Sequence, residues 1–202
     1  MFMKSGLKMM KFDGIVVGGG PAGIFAAIMA ARQGQKILLL ERNDRLGKKL
    51  LITGKGRCNV TNDCEAREVL QNVPRNGRFL YSAMTAYPPE KIMAFFEEHG
   101  CQLKTERGNR VFPVSDRSQS VLEALQKEMR RAGVDIRTDR VKEILTDNGA
   151  VSGVRGQSAT YSCAWVILAT GGLSYPTTGS TGDGYAMAEA LGHTVVPAQG
   201  SL

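Results

Sequence analysis

Gly18-Gly19-Gly20-Pro21-Ala22-Gly23 sets glycines at the three positions of a G-x-G-x-x-G pattern, between an apolar run and an alanine-rich one. Each glycine has its own physical reason: Gly18 permits a tight turn, Gly20 lets a pyrophosphate approach the backbone, and Gly23 lets a helix pack closely on a strand. A helix beginning here presents unpaired N–H groups and a positive dipole end to phosphates, and Pro21 suits its first position because the missing N–H would have been unpaired anyway. Ala27 and Gly34 extend the pattern, and Glu41 follows about 20 residues beyond the glycines, where a carboxylate accepts ribose hydroxyls and repels a 2′-phosphate. The chemistry indicated is adenine-dinucleotide binding: FAD or NAD fits this site, and NADP does not.

The elements that must position these residues follow from apolar patterning. Phe12 to Val17 reads as a strand, Pro21 to Arg32 as a helix with Gly34 just past its end, and Lys36 to Leu40 as an aliphatic strand buried on both faces. Residues 12–41 are therefore a βαβ unit, with a right-handed crossover. Residues 42–62 are polar, basic and glycine-dotted, a connection long enough to carry function. Glu90 to His99 and Ser118 to Ala132 have helical apolar faces closed by Gly100 and Gly133, and Arg110 to Pro113 reads as a strand. Val134 to Thr138, Val141 to Thr146, Ala150 to Arg155 and Ala159 to Ser162 are short strands, with Asn148-Gly149 as a hairpin turn. Trp165 to Ala169 is a buried strand opening into Thr170-Gly171-Gly172. The expected order is a helical and β insertion over 63–133, then a β-meander and return strand over 134–172, in an α/β domain.

Composition bounds the rest. The 202 residues are 43% hydrophobic and 22% charged, enough apolar content to fold as one globular domain, and 24 glycines mark many special backbone positions. No run approaches the roughly 18 consecutive apolar residues of a membrane helix, so a soluble chain is expected. Lys4, Lys8 and Lys11 interrupt Met1, Met3, Met9 and Met10, which leaves no signal-peptide core and makes residues 1–11 a frayed leader. Cys58, Cys64, Cys101 and Cys163 lack the two-residue spacing of zinc ribbons and thioredoxin motifs, and a reduced, cytoplasmic chain accounts for them.

Three further segments make a resemblance specific: Leu46-Gly47-Lys48-Lys49, Thr53-Gly54-Lys55-Gly56-Arg57-Cys58-Asn59-Val60-Thr61-Asn62, and Ser174-Tyr175-Pro176 with Thr178-Gly179-Ser180-Thr181-Gly182-Asp183-Gly184-Tyr185. With the first glycine motif and the Ala169-Thr170-Gly171 turn, the chain from Phe12 onward resembles the bacterial NAD(P)/FAD-dependent, or aminoacetone-oxidase-family, oxidoreductases, which include a bile-acid dehydro-intermediate reductase. The resemblance implies a glutathione-reductase-type FAD-binding Rossmann-like domain over 12–193, with a parallel central sheet and β-meander, incomplete at the C-terminus. Residues 194–202 would begin a truncated substrate domain, making the chain the N-terminal half of a longer flavoenzyme.

By that resemblance Gly18, Gly20 and Gly23 meet the pyrophosphate and Glu41 the adenosine ribose, with Pro21, Ala22 and Arg42 as further cofactor-binding residues. Gly54, Gly56, Arg57, Cys58 and Asn59 line the loop beside the flavin, the Val141 backbone meets adenine, Thr170, Gly171 and Asp183 form later flavin-side turns, and Lys49 and Ala169 are further cofactor-binding residues. Arg57 is expected to favour negative charge on a reduced flavin. The implied activity is two-electron transfer between a reduced nicotinamide or an organic small molecule and FAD, with NAD(P)H as a transient electron donor. No catalytic acid or base is assigned, and no metal site.

Other readings compete. The formal net charge of +7 and a similar opening motif raise a tRNA-modifying flavoprotein, but the basic residues read as scattered, without an aromatic-interleaved stripe, so nucleic acid is disfavoured. A non-catalytic nucleotide-binding remnant is the third reading. Five residues separate Cys58 from Cys64, against four in disulfide reductases, so Cys58 reads as a loop thiol and Cys64 as incidental. His99 and His193 read as helix-end caps, Lys48-Lys49 and Arg130-Arg131 as solvated charge, and Phe95-Phe96 as core.

Overall fold

A computed structural model describes residues 10–200. Residues 1–9 of the expected leader and residues 201–202 of the expected substrate domain lie outside the described residues. The chain divides into two compact units, one made of residues up to Lys48 together with those from Met129 onward, the other of Lys49–Glu128.

In the first unit, β1 (Met10–Lys11) is followed by β2 (Gly14–Val17), α1 (Pro21–Ala31) and β3 (Ile37–Glu41). After the second unit come β7 (Asp135–Thr138), β8 (Val141–Asp147), β9 (Ala150–Gly156), β10 (Thr160–Ser162), β11 (Trp165–Leu168) and α7 (Asp183–Ala190). The central sheet is parallel, in the order β11-β2-β3-β7, with Ile15 paired to Leu38 and Val16 to both Leu39 and Ile167. Every residue of β2 and β3 is buried, as aliphatic strands covered on both faces require. Ile24, Ala27 and Ile28 form the apolar face of α1; full burial of an isoleucine side chain contributes about 1.5–3 kcal/mol. The expected α/β architecture with a parallel sheet and meander is what the chain adopts.

The meander, in the order β1-β10-β9-β8, turns at Asn148 and Gly149, both left-handed at φ 50° and 80°. Met10 and Lys11, assigned from sequence to the leader, run parallel to Tyr161 and Ser162 instead. The cause is the next residue: Phe12 is buried and donates its N–H to Ser162 at 2.9 Å, which holds the preceding pair against β10.

The second unit contains α2, whose range Lys48–Ile52 starts one residue before it, then β4 (Thr61–Asn62), α3 (Ala66–Gln71), α4 (Tyr81–Ala86) and α5 (Pro89–Glu98). After these come β5 (Leu103–Glu106), β6 (Arg110–Pro113) and α6 (Ser118–Arg131). Its sheet is antiparallel, β4-β6-β5. The insertion thus starts near residue 49 rather than 63, because Val60 donates to the Val111 carbonyl at 2.8 Å and so ties the loop after α2 to β6. Residues 194–200 have no regular secondary structure. Among the described residues no helix is long and apolar enough to cross a membrane.

Asp139, which sequence reasoning passed over, closes the meander. Its carboxylate is buried and accepts the N–H groups of Gln157 (2.9 Å), Ser158 (3.0 Å) and Ala159 (3.3 Å) and the Tyr161 hydroxyl (3.2 Å). Removing it leaves those donors without an acceptor. Asp139→Ala is expected to lower stability by about 1–3 kcal/mol, seen as a lower urea midpoint at constant slope. Tyr161→Phe, which removes one bond only, is expected to cost less.

Candidate functional site

The glycine loop takes its shape from close approach. Gly18 is left-handed at φ 113° and donates to the Leu40 carbonyl at 2.8 Å; a Cβ there would overlap the Ala169 carbonyl. A Cβ at Gly23 would overlap the Gly18 carbonyl, so helix and strand ends meet at bare backbone. Gly20 is different. It stands at the N-cap of α1 in an extended conformation, no side chain caps the helix, and a Cβ placed on it meets nothing within 4 Å. Pro21 and Ala22 beside it are exposed. The first N–H groups of a helix have no partner within it, so this mouth offers donors and a positive dipole end to an anion.

Glu41, at the end of β3, is 8% exposed and lies under that loop. Its Oε2 accepts the Gly19 N–H at 2.6 Å, and its Oε1 accepts the Asn43 N–H at 2.8 Å and the Asn43 side-chain amide at 2.6 Å. A carboxylate offers about four acceptor positions, so these three bonds leave one, on Oε2. Gly47 donates to the Gly19 carbonyl at 2.8 Å and closes residues 42–47 onto the glycine turn. The carboxylate expected to meet a ribose is thus the brace of the glycine loop, and Asn43, absent from the sequence reading, is its partner.

The strand that returns next to β2 completes the same end of the sheet. Ala169 donates to Val17 at 2.8 Å, and Thr170 lies so close to Gly184 that a Cβ there would overlap its hydroxyl. Gly171, left-handed at φ 77°, faces the buried Ser180. Arg42 donates from Nη1 to Thr181 Oγ1 (2.7 Å) and Asp183 Oδ2 (3.1 Å), and Arg140 donates to the same Oδ2 at 3.0 Å. Thr181 donates to Asp183 Oδ1 at 2.6 Å. Arg42 and Asp183, expected as separate cofactor contacts, are therefore partners of each other. The Thr181 hydrogen bond above all, then Arg140 and Arg42, holds the Asp183 carboxyl below its ordinary range. Val141 follows Arg140; its side chain is core, and its backbone opens β8 just after Asp139, which donates to the Glu41 carbonyl at 2.9 Å. Both arginines thus converge on the one carboxylate of Asp183.

In the second unit, Lys49 lies on α2, and Gly54, Lys55, Gly56 and Cys58 are all left-handed. Asn59 braces this turn through its side-chain amide, to Thr61 O at 2.8 Å and Val111 O at 3.1 Å. Arg57 was expected to supply charge to a flavin. Instead it pairs with Glu106 and Asp116, and its guanidinium lies 4.2 Å from the Phe112 ring centroid, because β5, β6 and the turn after β6 bring two carboxylates to it. Lys104 joins the same carboxylates, so the cluster is balanced. All four cysteines are free. Burial pushes the Cys58 thiol up and that of Cys101 to about 11, so both remain protonated near neutrality and neither has the thiolate that redox exchange needs. Among the described residues no three His, Cys, Asp or Glu side chains gather as a metal site. His99 is the C-cap of α5, as expected: its Nδ1 lies 2.5 Å from the Phe95 carbonyl, and its Nε2 meets the buried Glu128 at 3.0 Å.

The Asp183 clamp has a pH signature. A carboxyl lowered by folding contributes stability above its unfolded pKa, near 4, and loses that contribution as pH falls through its folded value. Asp183→Asn is expected to be less stable than the parent at pH 7, with the gap closing towards pH 3 in urea melts.

A family model described as the HI0933-like protein Rossmann domain matches residues 12–200. The 3-dehydro-bile acid delta(4,6)-reductase of Clostridium scindens is 37% identical over 184 residues, 90% of this chain and 44% of the relative. The ribosomal RNA dihydrouridine synthase of Escherichia coli is 29% identical over 196 residues, 96% of this chain and 48% of the relative. The chain thus spans about half the length of these relatives. In fold it is similar to the 3-ketosteroid-delta4-(5alpha)-dehydrogenase from Rhodococcus jostii, with a TM-score of 0.65 and 18% identity, covering 91% of this chain and 54% of that one. The family match takes in both units and every candidate site residue, and the chain belongs to the HI0933-like Rossmann domain family.

Proposed function

We propose that this chain is the cofactor-binding part of an FAD-dependent oxidoreductase acting on an organic small molecule in the cytoplasm, with NAD(P)H as electron donor. One observation carries the reading: the open, uncapped start of α1 at Gly20, braced from below by a buried carboxylate that keeps one acceptor position. The residues present fit the cofactor. The N–H groups at the start of α1 would hold the pyrophosphate, and Glu41 Oε2 would accept one hydroxyl of the adenosine ribose while repelling a 2′-phosphate. When bound, FAD supplies two-electron hydride chemistry; the protein's part is to hold and orient it.

A second reading, reduction of a base in RNA, is supported by the likeness to a ribosomal RNA dihydrouridine synthase over 96% of the chain. It uses the same cofactor site and differs in the substrate.

Gly20→Val separates ligand binding from folding. A Cβ at Gly20 meets no protein atom within 4 Å and the backbone is extended, so the thermal midpoint without FAD is expected to fall only by the cost of a poorer N-cap residue, about 1 kcal/mol. The same side chain occupies the phosphate path, and FAD affinity, read by quenching of flavin fluorescence, is expected to fall by at least about tenfold. Equal affinity in both proteins would overturn the assignment. Glu41→Gln should behave differently, since its amide N–H groups would face the Gly19 or Asn43 donors; it is expected to lose about 1–3 kcal/mol even without cofactor.

A further inference from the structure

The segment from α3 to α4 is built on itself. Asn76 is left-handed at φ 57° and turns the chain, Phe79 donates back to the Asn76 carbonyl at 2.9 Å, and Gly77 sits so close to the Leu70 carbonyl that a Cβ would lie 2.9 Å from it. Val69, Leu70, Val73, Leu80 and Met84 are only half-buried, and neither α3, α4 nor the 3-10 turn between them (Gly77–Leu80) has a buried residue. This arm presents outward two aromatic rings, Phe79 at 86% and Tyr81 at 63% exposure, and three exposed arginines, Arg67, Arg75 and Arg78, against one exposed carboxylate, Glu68 on α3. Among the described residues these three arginines make no ion pair, in contrast to Arg57 of the same unit, which meets Glu106 and Asp116.

We infer that this arm is a docking surface for single-stranded RNA. Unpaired guanidinium groups beside open rings complement a polyanion that carries flat bases: the arginines neutralise phosphates, and Phe79 and Tyr81, one residue apart, give stacking faces to unpaired bases. A helical duplex keeps its bases stacked inside and offers nothing to these rings, which selects the single strand. Arg75-Asn76-Gly77-Arg78-Phe79-Leu80-Tyr81 is the aromatic-interleaved basic stretch whose absence counted against nucleic acid in the sequence, where its exposure could not be seen. The inference rests on the second reading above and adds the surface that would hold such a substrate.

The test is fluorescence anisotropy of a labelled single-stranded RNA 12-mer of mixed sequence, and of its duplex, with the full 202-residue chain at low and moderate salt, FAD binding being measured on the same samples. The single strand is expected to bind more tightly than the duplex. Phe79→Ala and Tyr81→Ala are each expected to weaken binding about 5- to 100-fold. Arg75→Ala and Arg78→Ala should each lower the salt slope by about 0.7. None of these side chains is buried, so thermal midpoints should not move. Arg130→Ala, an exposed arginine outside the arm, should leave the ring-dependent preference for single strands intact. Unchanged RNA affinity in the ring variants, or equal binding of duplex and single strand, overturns the inference. So does a change in solution mass on substituting the rings, since it would assign the surface to a second copy of this chain. FAD retained where RNA binding fails confines the failure to the arm; loss of FAD binding by the parent chain would instead remove the flavoprotein reading.

Discussion

The Glu41 carboxylate lies at the C-terminal end of β3, almost out of water, and receives the Gly19 N–H together with two donors from Asn43. A buried carboxylate is held where hydrogen bonds replace its hydration, and here the replacing bonds come from the glycine turn and from Asn43. The same contact therefore fixes two things: the path of the glycine turn and the reversal of the chain after β3. Without that brace the first turn of α1 would have neither a side-chain cap nor a fixed approach.

Around this point the sheet end is assembled by contacts too close for side chains. Gly18 against Ala169 and Gly23 against Gly18 bring β2, α1 and β11 within backbone distance, and Gly184 against Thr170 brings in the start of α7. Arg42 and Arg140 then close on Asp183, so residues from three distant parts of the sequence meet in one ionic clamp. Such a clamp, with side chains about a quarter to two-fifths exposed, contributes modestly to stability and more to position: it sets the segment before α7 against the loop after β3.

The second unit uses the same chemistry for a different end. Its arginine-carboxylate cluster is balanced and partly exposed, its thiols are protonated, and its left-handed turn after α2 is held by Asn59. The α3–α4 arm departs from this economy, since its arginines have no carboxylates and its rings no cover. What sets the arm apart is the pairing of open rings with open guanidinium groups on one short segment.

Sequence determined the parts of this protein whose physics is local. The βαβ unit was legible because aliphatic runs, a glycine turn and a good helix follow one another without interruption, and the hairpin at Asn148-Gly149 because few residues tolerate two left-handed positions. The candidate residues Gly18, Gly20, Gly23 and Glu41 were legible through their spacing, each fixed by the reach of a strand and a helix. Partner choice was not. That Arg42 and Arg140 meet Asp183, that Arg57 meets Glu106 and Asp116, that Asp139 closes a turn and that Glu41 braces the glycine loop depend on which distant segments the sheets bring together. Charged residues look alike in sequence, whether they face a ligand, a partner or water. Only the tertiary structure supplies the neighbours that decide it, because Coulomb attraction and hydrogen bonding act over a few ångströms of space and not along the chain.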